Sequence, residues 1–365
     1  MDSPFPYRLT SARKMKGLSL KKLAIMLGRP FNKQLLHRLE NGSQLPHGDQ
    51  LIRLGNALDQ PLDYFLKPTL AKVTGVDLTK VRKVGKKAGE SIIELANDYF
   101  ERYLELEDLL GGQQKAKWPL HIQKLASDDY NAIDEAAMYV RQKIWMLGFG
   151  PLHNIANVLD ASGLKVFLAA QSHERFPETG FDGFSTIINS ENGCIVANGN
   201  PDIPLVRKRF TLLREFANLY LNLSELKPRE ARGVCDTFAG ALLAPRLSLI
   251  EAFGEYRTSI HITELLLFQR IHGAPISVIL SALRQNGIIS QSQFTKQMVE
   301  YNAGLKANDG GYFAGIEEPY RFQQLLLRAL ACGIISESKA ASLMNMKAAE
   351  FREYLDNMVD ENSGY

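Results

Sequence analysis

A chain of 365 residues is long for one domain, so two or three are expected. Its 45% hydrophobic and 23% charged content fits a soluble globular protein with a sizeable core. The net charge is only +3, yet residues 1–60 carry ten Lys/Arg against four acids, placing +6 in the head and −3 in the other 305 residues. A basic head on a near-neutral body predicts a polyanion partner for the head. No apolar run reaches the roughly 18 residues of a membrane helix, and MDSPFPYRLT lacks a signal-peptide pattern. Three scattered cysteines, Cys194, Cys235 and Cys332, point to a reducing compartment. A cytoplasmic protein with no membrane partner is expected.

The head punctuates itself into short helices. Gly17 ends the first, and Ser19 caps a second with apolar positions Leu20, Leu23, Ala24 and Leu27. Gly28 closes it, Arg29-Pro30 breaks the chain, and Asn32 caps a third helix running to Asn41-Gly42. Leu35, Leu36 and Leu39 form the apolar face of that helix and leave Lys33, Gln34, His37 and Arg38 pointing elsewhere. Such a helix, held by a tight turn from a supporting helix, suits the major groove of DNA.

Three stretches, SARKMKGLSLKKLAIMLG, LLHRLENGSQLPHGDQLIRLGNAL and PLDYFL, resemble the Cro-type (XRE) helix-turn-helix family over about 60 residues. The resemblance implies a five-helix DNA-binding domain at 1–67. Lys33, Gln34 and Arg38 then fall where the family reads base edges, and Asn41 and Ser43 fall near phosphate contacts. Asn32, Lys33, Gln34, His37, Arg38, Asn41 and Ser43 are therefore the candidate DNA-contacting residues. The chain departs from the family in having Leu20 where Gln is frequent, and in a turn about two residues longer through Arg29-Pro30.

Residues 67–90 read as a linker leading into a long helix, which places a connector at 68–125. Ile92, Ala96, Tyr99, Tyr103, Leu106 and Leu110 recur at heptad spacing. They make either a dimerising seam, pairing two heads on a palindromic operator, or a helix packed on its own chain. Lys80, Arg82, Lys83, Lys86 and Lys87 offer phosphate contacts or a solvated charge run.

The body, 126–310, mixes helices (DEAAMYVRQKIWMLGFG, LHNIANVLDASG, RKRFTLLREFANLYLNL, CDTFAGALLAPR) with short strands (LKVFLAA, FSTIINS, CIVANG), and a helical region follows at 311–365. The order predicts a mainly α chain with a small α+β domain. The tail EYLDNMVDENSGY is expected to fray.

The segments GPLHNIANVLDASGLKVF, FDGFSTIINSENGCIVANGN, RKRFTLLREFANLYLN and CDTFAGALLAP resemble the ImmA/IrrE metallopeptidase family, whose members often carry an XRE head. The resemblance implies a zincin-like α+β domain followed by a C-terminal helical part. A zincin needs two histidines four residues apart on one helix, a glutamate beside the first, and a later ligand. Here the ligand positions hold Arg214, Asn218 and, on the following helix, Val234; only Glu215 remains. Arginine cannot donate a lone pair, and an amide oxygen is a poor zinc ligand. The seven histidines are all distant from this helix pair in sequence. A rebuilt site from Glu215, Cys235 and Asp236 stays open, as does an ion pair of Glu215 with Arg214 or Arg232.

The expectation is a catalytically inactive peptidase-like body with no metal and no cofactor. Joined to the head, it makes a sequence-specific DNA-binding regulator. By family analogy that is an antitoxin and autorepressor, a homodimer whose body binds a protein partner such as a cognate toxin. An active zinc peptidase cleaving a repressor, and a stress- or phage-response regulator sensing a small molecule, are the alternatives.

Overall fold

The computed structural model describes residues 3–69, 73–74, 85–112, 114–116, 123–124, 129–169, 181–189, 191–304 and 313–362. The head contains α1 (Phe5–Met15), α2 (Leu20–Leu27), α3 (Lys33–Glu40), α4 (Gly48–Leu58) and a single 3-10 turn at Leu62–Phe65. The fifth helix expected from the sequence is thus one short turn. Four residues after Pro61 suffice to bury Tyr64 and Phe65 but not to close an α-helical ladder.

The caps read from sequence are present: Ser19 accepts from Lys22 N at 3.2 Å and Asn32 from Leu35 N at 2.8 Å. Gly28 ends α2 with φ of 66°, a conformation that favours glycine. Leu9, Leu23, Leu36, Leu39, Leu54 and Phe65 sit fully buried at the centre of the head.

The long helix α5 (Lys86–Leu109) is the spine of the molecule. Ile92, Ala96, Tyr103 and Leu106 are buried, and Tyr99 stacks on Phe167 at 4.6 Å. The heptad face is therefore packed within the chain, as the second of the two readings has it. The helix also begins earlier than the linker reading allowed, since Lys86–Glu90 already belong to it.

One side of α5 covers a mixed sheet in the order β1 (Val73–Thr74), β4 (Gly183–Ile188), β5 (Asn192–Asn198), β3 (Lys165–Ala169). β3 runs parallel to β5, whereas β4 is antiparallel to both β5 and β1. Alternation along β5 sends Cys194 and Val196 toward α5, and Ile195 and Ala197 toward the opposite layer. That layer is built from α6 (Tyr130–Tyr139), α7 (Ile155–Ala161), α8 (Leu205–Tyr220) and α9 (Pro228–Leu243). A small parallel pair, β2 (Gln123–Lys124) with β6 (Leu221–Asn222), extends α8.

Beyond α9 come α10 (Arg246–Phe253), α11 (Ile262–His272), α12 (Ile276–Gln285) and α13 (Gln291–Gly304), largely packed on the same core. The C-terminal α14 (Arg321–Ala331), α15 (Glu337–Leu343) and α16 (Ala348–Asn362) lean on the other side of α5 through Phe322, Leu326 and Phe351. Of the tail expected to fray, residues 363–365 lie outside the described residues, and the rest belongs to a helix. Buried Phe351, with Tyr354 and Leu355 against the same cluster, keeps it helical to Asn362. The molecule is mainly helical with a small α+β part. Among the described residues no single helix is long and apolar enough to cross a membrane.

Candidate functional site

On α3 the amphipathic pattern separates two faces. Leu35, Leu36 and Leu39 are buried in the head core, while Asn32, Lys33, Gln34, His37 and Arg38 are exposed together. Asn41 and Ser43 are also exposed, but they bond to each other: the Asn41 Oδ1 accepts from Ser43 N at 3.0 Å and from Ser43 Oγ at 2.5 Å. They shape the turn after α3 and leave their remaining polar atoms outward. All seven candidate residues thus lie on one short stretch of surface.

Two arginines that the sequence reading did not single out fix this stretch. Arg13 of α1 grips Glu40 with two hydrogen bonds of 2.6 and 2.9 Å, tying α1 to the end of α3. Arg53 of α4 donates to the carbonyls of Arg29, at 3.0 Å, and Leu27. Its guanidinium also lies 5.1 Å from the Phe31 ring centre. The longer turn through Arg29-Pro30 is therefore a supported element, with Phe31 buried beneath it.

In the body, α8 and β4 bring Glu215, Asn218 and Ser185 together. Glu215 is fully buried. Its Oε2 accepts from Ser185 Oγ at 2.9 Å, and Ser185 Oγ accepts from Asn218 Nδ2 at 3.0 Å. Arg214 Nε lies 3.7 Å from Glu215 Oε1, so of the two ion pairs left open by sequence the one with Arg214 forms, and Arg232 is exposed. Ser185 was missed by sequence reasoning, because nothing local in FSTII marks one serine as facing a glutamate thirty residues later.

Zinc does not fit here. Asn218 donates to Ser185, Val234 is buried in the apolar core, and the cation of Arg214 stands beside Glu215. Cys235 packs as a small core residue, against the reading of a site rebuilt from Glu215, Cys235 and Asp236. Among the described residues, no group of three or more His, Cys, Asp and Glu side chains could hold a metal ion.

Two buried charge clusters anchor the surroundings. Arg209 of α8 pairs with Glu317, both side chains wholly buried, and donates to the carbonyls of Leu152, His153, His272 and Gly273. Desolvation pushes the Glu317 carboxyl up to about 7, against the opposing charge of Arg209. Gly273 has φ of 65°, and a Cβ there would meet Arg209 Nε at 2.4 Å. The second cluster joins three elements: Lys165 Nζ lies 2.9 Å from Glu107 Oε2, and Asp160 accepts from Tyr103 Oη at 3.0 Å. Burial raises the Asp160 carboxyl to about 7 despite that hydrogen bond and the charge of Lys165.

Comparison of the chain with family models, curated proteins and solved structures found no match.

Proposed function

We propose that the chain is a sequence-specific DNA-binding regulator whose body has a peptidase-like frame that binds a protein partner instead of cutting one. The observation that carries the DNA reading is α3. Its amide and basic side chains Lys33, Gln34, His37 and Arg38 are exposed on the face opposite a fully packed leucine row, within the basic head. Side chains of these types pair with base edges and phosphates in the major groove.

The reading of the body rests on side-chain chemistry at the three ligand positions. A permanent cation, an amide engaged with a serine and a buried valine offer no lone-pair set for a zinc ion. The resemblance to ImmA/IrrE proteins fused to XRE heads supplies the partner class, a small cognate toxin, and hence the role of antitoxin and autorepressor.

One experiment tests both halves. The tagged full-length protein is purified from its native host, the bound DNA fragments are sequenced and co-purifying proteins are identified. Enrichment of its own promoter, with a stoichiometric small protein alongside, is the expected outcome. The triple variant K33A/Q34A/R38A is expected to lose the promoter and keep the protein partner. Unchanged promoter enrichment in that variant overturns the assignment of α3.

A further inference from the structure

A groove of about 470 Å³ opens where α2 and α3 begin, and it does not stop at the head. Lys14 of α1, Lys21 of α2, Lys33 of α3 and Lys86 and Lys87 of α5 line it, with Glu90 the one carboxylate among its described lining residues. Glu90 stands 3.6 Å from Lys14 Nζ, so that pair largely neutralises itself. Lys21, Lys33, Lys86 and Lys87 are exposed, and none forms an ion pair with a described carboxylate. A solvated charge run spreads its lysines over a convex face. Here lysines from three helices converge on one concavity, an arrangement of mutual repulsion that a polyanion relieves.

The position of the α5 lysines is set by packing. Ser91 Oγ donates to the Met15 carbonyl at 2.8 Å, Ser11 Oγ donates to Glu94 Oε2 at 2.7 Å, and Arg8 forms a bidentate pair with Glu101. These contacts fasten the first half of α5 along α1, so Lys86 and Lys87 keep a fixed relation to Lys33. The starts of α2 and α3, whose Ser19, Leu20 and Lys33 also line the groove, add partial positive charge there.

We infer that the duplex-binding surface includes the start of α5: Lys86 and Lys87, with Lys21, hold the phosphate strand that borders the groove read by α3. The inference rests on the reading of the head as DNA-binding. It adds a contact outside the head itself, made by a helix that also packs on the sheet and on the C-terminal helices.

The test uses the full chain and a fluorescent mixed-sequence duplex of about 30 base pairs, since phosphate contacts are independent of sequence. Anisotropy titrations over a range of salt give the slope of log affinity against log salt. K86Q/K87Q is expected to make that slope shallower by about 2, roughly one for each phosphate no longer neutralised. The charge-conserving K86R/K87R is expected to keep the wild-type slope, and unchanged melting temperatures check that both variants fold. A slope equal to wild type in K86Q/K87Q, with wild-type duplex binding intact, overturns the α5 contact and leaves the head reading standing. Absence of salt-dependent duplex binding by the wild type overturns both.

Discussion

Asp160 and Glu317 are carboxyls held where water does not reach, and their environments push both upward from the ordinary carboxylate range to about 7. A folded-state value above the unfolded one means that the folded chain binds a proton the unfolded chain has already released. Each group thus contributes stability below pH 4 that is lost as pH rises through about 7. His272 acts in the opposite sense. Burial, then the charges of Arg141 and Arg209, lower it to about 4, so its contribution rises with pH between about 4 and 6.5. A wild-type pH profile mixes these, and only a variant difference isolates one. The stability gap between wild type and D160N, from urea unfolding, is expected to shrink by a few kcal/mol between pH 5 and pH 8. Parallel profiles across that range would show that Asp160 is not the titrating group.

At the scale of elements, the contact that decides the architecture is α1 against α5. Arg8 is nearly buried and bonds Glu101 with both terminal nitrogens, one at 2.7 Å. It also donates to the Lys67 carbonyl at 3.0 Å and lies 5.0 Å from the Tyr64 ring centre. Removing the carboxylate leaves a guanidinium in a low-dielectric site with only carbonyls and a ring as partners. Glu101→Ala is therefore expected to cost about 3–5 kcal/mol. It should also raise hydrogen exchange in α1 and early α5 before elsewhere. The double change R8M/E101L, which removes both charges, is expected to recover most of the loss in the same urea titration. If E101A unfolds within about 0.5 kcal/mol of wild type, the pair does not hold the head to the spine.

The head helices were legible in the sequence because their caps and leucine spacing are local signals. The Arg8–Glu101 pair was not, since its partners are 93 residues apart and neither sits in a motif. The cluster of Glu215, Ser185 and Asn218 was half legible. Helical spacing puts 215 and 218 on one side, whereas Ser185 arrives only through the register of β4.

The whole molecule turns on what α5 does with its apolar face, because a palindromic operator needs two heads and a heptad seam would have been the simplest way to pair them. Instead the same residues serve two neighbours, the sheet and the C-terminal helices. Ile92 and Ala96 meet the sheet, Tyr99 bridges Phe167 and Phe322, and Tyr103 and Leu106 meet the C-terminal helices. A spacing of three and four records only that a helix has one apolar side. It is silent on whether the surface opposite belongs to another chain, and here the covering surface comes from the sheet (Phe167, Phe184, Cys194, Val196) and the C-terminal helices (Phe322, Leu326, Phe351) of the same one. On the proposed reading, any pairing of two heads on one operator would use another face of the molecule. Leu106, with no exposed surface, separates the two cases. Leu106→Ala is expected to lower stability by about 2–5 kcal/mol, the usual cost of truncating a buried leucine. Its mass by light scattering should equal wild type at every concentration at which the variant stays folded. A variant of lower mass with wild-type stability would instead place Leu106 between chains and return α5 to the role of a dimer seam.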